Sequence, residues 1–284
     1  MKHLPSAIRL WQWSKSSKQV LPKQLLKTMK DTWRLIDYES FDAATNMALD
    51  EAILEAHIAG AVPPTLRFYG WAPPAVSIGY GQKLPEKVRQ KIVGRGFDVV
   101  RRPTGGRAVL HLDELTYSFV GSGKTLGSSV IESYKKICQA LILGFNNLGV
   151  DVEIGKGQTA DSHMHDCFTA TTTADLHYKG KKIVGSAQLR RHDALLQHGS
   201  ILLCQEQNLM GELLLSRESS SCEEKQRHAN LFEITGSVVS ALELIPAFKD
   251  GFEKTFSIAL EPGNLTELEW QKVEELRAKQ GLLV

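Results

Sequence analysis

The 284-residue sequence predicts an α+β fold, a mixed β-sheet flanked by helices, on three observations. Short apolar strand segments alternate irregularly with amphipathic helical ones, without the βαβ rhythm of a doubly wound sheet and without an internal repeat. Two Gly-rich turns, within Arg101-Arg102-Pro103-Thr104-Gly105-Gly106-Arg107-Ala108-Val109-Leu110-His111 and Gly180-Lys181-Lys182-Ile183-Val184-Gly185-Ser186-Ala187-Gln188, sit against apolar strands. Glycine there lets bare backbone approach an extended ligand. The composition, 42% hydrophobic and 23% charged with 23 Gly and 10 Pro, is that of an ordinary globular chain.

Element by element, Trp33 to Asp37 reads as a strand, and Asp42 to His57 as a helix with Ala44, Met47, Ala48 and Leu54 at helical spacing and Gly60 as its stop. Thr65 to Tyr69 and Ala75 to Gly79 are β-like and flank Gly70-Trp71-Ala72-Pro73-Pro74, which predicts a hairpin. Lys83 to Val93 reads as helix, Asp98 to Arg102 and Leu115 to Val120 as strands, and Ser129 to Leu148 as a long amphipathic helix closing at Gly149. Strands follow at Asp175 to Tyr178, Lys182 to Leu189 and Gly199 to Leu203. Between them Gly155 to Thr173, rich in Thr, His and Gly and without periodicity, reads as an active-site loop. Beyond Asn208 the chain reads as a helical appendage: a polar linker from Ser216 to Arg227, a helix near Gly236 to Phe248, and a last helix capped by Thr266 with Glu269 at capping-box spacing.

Thirty-four Lys+Arg against 32 Asp+Glu give a net charge of +2, which excludes the broad basic footprint of a nucleic-acid binder and leaves only local patches for an anionic partner. Cys138, Cys167, Cys204 and Cys222 are scattered without a CxxC pair, as expected of thiols in a reducing, cytoplasmic setting. Apolar runs such as Ile201 to Cys204 fall far below the roughly 20 residues that cross a bilayer, so no membrane association is expected. Residues 1–30 carry seven Lys or Arg and no acid, and read as a basic extension, either disordered or upstream of a start at Met29.

Cys167, within His163-Met164-His165-Asp166-Cys167-Phe168, is the best-placed nucleophile, since nearby cations or imidazoles favour the reactive thiolate; an idle cysteine is the plain alternative. His163, His165, Asp166 and Cys167 also have metal-ligand chemistry, but they crowd into five residues with no distant partner to complete a tetrahedral set. Lys182, ahead of the small residues Gly185, Ser186 and Ala187, carries an ammonium suited to a carbonyl oxygen or oxyanion; it and Lys181 equally fit a solvated hairpin. Arg101, Arg102 and Arg107 with Gly105 and Gly106 form either an anion-binding nest or a basic turn, and neither nucleotide-binding glycine spacing is matched. His111, His192 and His198 are candidate bases or structural imidazoles.

Asn46-Met47-Ala48-Leu49-Asp50-Glu51, Phe68-Tyr69-Gly70-Trp71, Ser77-Ile78-Gly79-Tyr80, the two Gly-rich segments and Gln197-His198-Gly199-Ser200-Ile201-Leu202, in this order, resemble the biotin/lipoate protein ligase superfamily over about Thr32 to Leu203. Within it the chain looks most like the LipM-type octanoyltransferases. The resemblance implies a class II synthetase-like catalytic domain over 31–250, after the 1–30 extension and before a 251–284 helical tail. It implies that Cys167 takes octanoate from octanoyl-acyl carrier protein as a thioester and passes it to a lysine of a lipoyl domain such as the glycine cleavage H protein. Lys182 would orient the acyl carbonyl and favour the thiolate. Arg102, Gly105, Gly106, Arg107, His111, Gly185, Ser186 and Ala187 would line the acyl site. No metal, nucleotide or other cofactor is implied. The alternatives are an ATP-dependent lipoate ligase, against which Ala174-Asp175 stands where such ligases often have Asn-Asp, an amidotransferase between lipoyl domains, and a silent binding module.

Overall fold

A computed structural model describes residues 31–127, 129–155, 175–204, 208–214 and 228–280. In chain order these form β1 (Asp31–Phe41), α1 (Ala43–Ile58), β2 (Thr65–Trp71), β3 (Ala75–Ile78), α2 (Glu86–Val93), β4 (Asp98–Arg101), β5 (Val109–His111) and β6 (Glu114–Ser122). The short α3 (Gly123–Leu126), α4 (Val130–Asn147), β7 (Glu153–Ile154), β8 (Leu176–Tyr178), β9 (Lys181–Arg191) and β10 (Ala194–Leu202) follow. The chain continues with α5 (Asn208–Leu214), α6 (Leu231–Thr235), α7 (Ala241–Phe256), β11 (Ile258–Pro262) and α8 (Glu267–Gln280).

Local chemistry starts the main helices where the sequence places them. Asp42 caps α1 by accepting from the Thr45 amide at 2.8 Å, and Ser129 and Glu132 close a capping box on α4. Thr266 and Glu269 do the same for α8, with Thr266 N donating to Glu269 Oε2 at 2.7 Å.

The strands form a mixed eight-stranded sheet in the order β11-β1-β2-β6-β10-β9-β8-β7 and a three-stranded sheet in the order β4-β3-β5. In the large sheet β1 runs parallel to both β2 and β11, and β2, β6, β10 and β9 are antiparallel neighbours. Strand β2 is buried throughout because both faces are covered. Its Leu66 and Phe68 join Ile137, Leu141 and Phe145 of α4 and Phe248 and Phe252 of α7, while Tyr69 and Trp71 pack on Ala43 and Met47 of α1.

The expected hairpin between 65–69 and 75–79 is not formed. β2 pairs with β1 and β6 of the large sheet, whereas β3 pairs with β4 and β5 of the small one. Pro73 and Pro74 lack the N–H groups that a two-strand ladder would need next to the turn, and the chain leaves one sheet for the other there. The C-terminal residues carry the expected helix as α8, and they also supply β11, which extends the large sheet alongside β1. Buried Glu269 of α8 accepts from Arg34 of β1, at 2.9 Å from Nη1 and 2.5 Å from Nη2.

Helices α4 and α7 approach closely because they cross at Gly144 and Gly251. A Cβ on Gly251 would stand 2.3 Å from the Ala140 carbonyl oxygen, and one on Gly144 would stand 2.3 Å from Phe248 Cδ1. Backbone cannot yield as a side-chain tip can, so Gly251→Ala is expected to lower stability by about 1–3 kcal/mol, the usual range for overpacking. The denaturant midpoint of the variant checks this; an unchanged midpoint would mean that the two helices separate freely.

Candidate functional site

Between the two sheets lies a pocket of about 370 Å³, including space open to solvent. Its floor follows one cross-strand row of the large sheet, because Gly185 pairs with Ser200, Ser200 with Thr116 and Thr116 with Tyr69. Four strands set side by side make this row about 14 Å long, at roughly 4.8 Å per strand spacing. The floor is small-sided at the β9 end and aromatic at the β2 end, where Tyr69 and Trp71 stand against Met47 of α1. The small sheet supplies the opposite wall through Ser77, Val109 and His111.

Of the residues expected to line an acyl site, Arg102, His111, Gly185, Ser186 and Ala187 border this pocket. Gly105, Gly106 and Arg107 are absent from the described lining. Gly106, at φ +94°, turns the loop so closely on Gly79 that a Cβ there would come within 1.9 Å of the Gly106 carbonyl oxygen. The close approach in this motif is therefore of backbone on backbone. Arg102 is buried and donates to the carbonyls of Ser77 (3.2 Å), Gly105 (2.8 Å from Nη2) and Arg107 (2.6 Å), closing the turn from inside. Among the histidines, His192 sits in the turn between β9 and β10 at φ +54°, away from the pocket lining, whereas His198 borders it.

Two buried hydrogen-bond chains hold the walls. In the first, the Asp50 carboxylate on α1 accepts from Arg67 Nη1 (3.1 Å), the Tyr69 hydroxyl (3.0 Å) and His198 Nδ1 (2.9 Å). A carboxylate only accepts, so His198 carries its proton on Nδ1 and Nε2 accepts from Thr104 Oγ1 at 2.7 Å. Burial raises the Asp50 carboxyl, but the His198 hydrogen bond and the Arg67 charge outweigh it and leave the carboxyl below its usual range. Burial, joined by the Arg102 and His111 charges, lowers His198 against the pull of Asp50, so the ring stays neutral at pH 7.

In the second chain, Glu114 accepts from His111 Nδ1 (2.6 Å), Thr116 Oγ1 (2.6 Å) and Ser200 Oγ. Arg102 Nη1 donates to Ser77 Oγ at 3.2 Å, so the Ser77 proton points to His111 Nε2 at 2.7 Å. Trp71 stacks on His111 with centroids 3.8 Å apart and donates to Thr116 at 2.8 Å. Sequence reasoning left out Ser77, Glu114 and Thr116. Ser77 and Asp50 did lie in quoted motifs, but nothing local marks Glu114 as the acceptor for three pocket hydroxyls and rings.

Lys182 is buried on β9, three residues before Gly185, and its Nζ lies 2.9 Å from Asp175 Oδ2. Neither residue is in the described pocket lining. Asp175 follows directly on 156–174, so Cys167, the expected nucleophile, and its neighbours His163, His165 and Asp166 lie outside the described residues. The described cysteines suit nucleophilic chemistry poorly. Burial pushes the Cys138 thiol up to about 12, and Cys204 Sγ lies 2.7 Å from Asp113 Oδ2, an anion that works against thiolate. Among the described residues no cluster of three metal-ligating side chains occurs, and no helix is long and apolar enough to cross a membrane.

Two outcomes follow from the buried chains. Glu114→Ala strands three donors, at roughly 1–3 kcal/mol for each unsatisfied group, and is expected to lower the unfolding midpoint well beyond a surface change; thermal unfolding reads it. For His198 the folded value lies below the ordinary 6.5, so the unfolded chain takes up the proton first and stability falls as pH drops through 6.5. Asp50, lowered from 3.8, adds stability that is lost only at more acid pH. Melting curves between pH 7.5 and pH 5, in steps of about half a unit, are expected to slope less in His198→Gln than in the parent; equal slopes would remove His198 from the linkage.

Residues 42–253 match the family model described as the lipoyl protein ligase A/B catalytic domain. The chain is 41% identical over 263 residues to octanoyltransferase LipM of Halalkalibacterium halodurans, covering 87% of this chain and 95% of that protein. It is 42% identical over 266 residues to octanoyltransferase LipM of Geobacillus kaustophilus, covering 88% and 96%. Among solved structures it is similar to lipoate-protein ligase A bound with ATP, with a TM-score of 0.73 and 26% identity over 87% of this chain and 95% of that one. It is also similar to the bipartite lipoate protein ligase from Thermoplasma acidophilum, described with its E2 lipoyl domain, with a TM-score of 0.69 and 25% identity over 88% and 93%. The mixed sheet flanked by helices is thus the frame of a known family, and the chain belongs to the lipoyl protein ligase A/B catalytic-domain family.

Proposed function

We propose that this chain is an acyltransferase that moves octanoyl groups in lipoate assembly, from octanoyl-acyl carrier protein to a lysine of a lipoyl domain such as the glycine cleavage H protein, by way of a thioester on Cys167. The observation that carries the reading is the pocket between the sheets, floored by Gly185, Ser200 and Thr116 and closed by Tyr69 and Trp71, in a chain that is 41–42% identical to octanoyltransferases along nearly its whole length. A row of small side chains ending on aromatic rings accommodates a thin apolar chain.

The chemistry balances without a nucleotide. The Cys167 thiolate attacks the carbonyl carbon of the donor thioester, and the carrier thiolate leaves and takes up a proton. The acceptor ammonium gives one proton to solvent and attacks the enzyme thioester as the neutral amine; the amide forms as its nitrogen releases a second proton to solvent, and the Cys167 thiolate returns. Exchange of one thioester for another is nearly isoenergetic and the amide step is downhill. The thiolate needs an electropositive neighbour, and Lys182, held by Asp175 at the end of the segment that contains Cys167, supports that role. Arg102, His111, Gly185, Ser186 and Ala187 border the acyl chain, and Gly105, Gly106 and Arg107 shape the turn beside it. Such a thiol works in a reducing compartment, the cytoplasm. The likeness to a lipoate-protein ligase bound with ATP supports a second reading, adenylation of free lipoate.

Incubation with octanoyl-acyl carrier protein and a lipoyl domain, followed by intact-protein mass measurement, separates the two. Transfer without ATP, an octanoyl adduct on the enzyme, and loss of both in Cys167→Ser by at least about a hundredfold are expected, as for removal of a covalent nucleophile. Modification that requires ATP and free lipoate, with Cys167→Ser fully active, would favour the second reading.

A further inference from the structure

Directly after β3 the chain presents an aromatic ring on an immobile base. Tyr80 is 71% exposed, yet Arg101 Nη1 donates to the carbonyls of Gly79 (3.0 Å), Tyr80 (3.1 Å) and Gln82 (2.7 Å). The Tyr80 amide donates to the Thr104 carbonyl at 2.9 Å, and Gly79 packs against Gly106. An exposed tyrosine whose backbone is already ordered loses little freedom on contact, which is the property of interface anchors.

The surrounding charge is one-sided. Between Gly79 and Gly96 stand Lys83, Lys87, Arg89, Lys91 and Arg95 against the single acid Glu86, in a chain whose totals, this segment included, are 34 basic to 32 acidic residues. Arg89 engages Glu86 at 3.0 Å, and Lys91 and Arg95 reach across to Glu212 of α5. Lys83 and Lys87 are exposed close to Tyr80 in sequence. The loop starts two residues after Ser77, which borders the pocket.

We propose that Tyr80, Lys83 and Lys87 form the docking surface for the acyl donor, an acidic protein that delivers the octanoyl group as a thioester. The proposal rests on the octanoyl-transfer reading. The lysines steer the acidic carrier, and the tyrosine anchors it.

The test compares two donors, octanoyl-acyl carrier protein and the octanoyl thioester of coenzyme A, on the full chain and on Tyr80→Ala and a Lys83→Glu/Lys87→Glu double variant. Both variants are expected to raise KM for the protein donor about tenfold and to leave kcat and the coenzyme A donor unchanged, and the double lysine variant alone is expected to flatten the dependence of KM on NaCl. Unchanged KM for the protein donor, an equal rise for both donors, or a rise only for the lipoyl-domain acceptor overturns the proposal. Calorimetric titration with acyl-free carrier protein reads docking without turnover. If the parent transfers from neither donor, the octanoyl-transfer reading falls, and weakened carrier binding in the double variant still supports the surface.

Discussion

The buried carboxylate of Asp50 is the constraint on which the pocket depends. A charge removed from water is tolerated only when it is paired and hydrogen-bonded, and Asp50 meets that condition with three donors from two strands: Arg67 and Tyr69 on β2 and His198 on β10. Helix α1 is thereby pinned across the sheet. Asn46, one turn earlier, adds to the pin by donating to the Phe41 and Gly70 carbonyls and accepting from Arg67. The consequence reaches the small sheet, since Asp50 sets the His198 tautomer and the tautomer requires Thr104 to donate. One carboxylate thus orders a helix, two strands and the loop that enters the Gly-rich turn.

The Gly-rich arginine motif takes on a different meaning in this light. Its residues are of the kinds that grip phosphate, but Arg102 donates to two carbonyls of its own loop and to the carbonyl and hydroxyl of Ser77, and Arg101 donates to the loop after β3. Guanidinium groups bound to neutral carbonyls stiffen backbone. The motif therefore braces its own turn and the Gly79–Gln82 loop that carries Tyr80.

Burial and charge disfavour the thiolate at the described cysteines. Cys138 is held as a thiol by its apolar surroundings, and Cys204 faces a carboxylate, so neither competes with a thiol placed beside a cation. Lys182 is a buried cation of β9, and it pairs with Asp175, the residue that follows the Cys167 segment in sequence.

What the sequence determined by itself was local. The caps at Asp42, Ser129 and Thr266, the spacing of apolar residues in α1 and α4, and the turns that bracket β9 are set by neighbours within a few residues, so α1, α4, α8 and most strands stand close to their expected bounds. The order of linked motifs also carried the fold family, since each motif is a short segment with its own conformational demand. Tertiary structure alone decided which strands pair: β2 and β3 looked like a hairpin, and only competition among distant ladders sent them to different sheets and brought β11 beside β1. It alone made Glu114 the acceptor for His111, Thr116 and Ser200, and matched Arg34 with Glu269 across 235 residues of chain. The physical reason is that a buried charge needs partners in space, and the chain between those partners leaves no trace of the pairing in either one's neighbourhood.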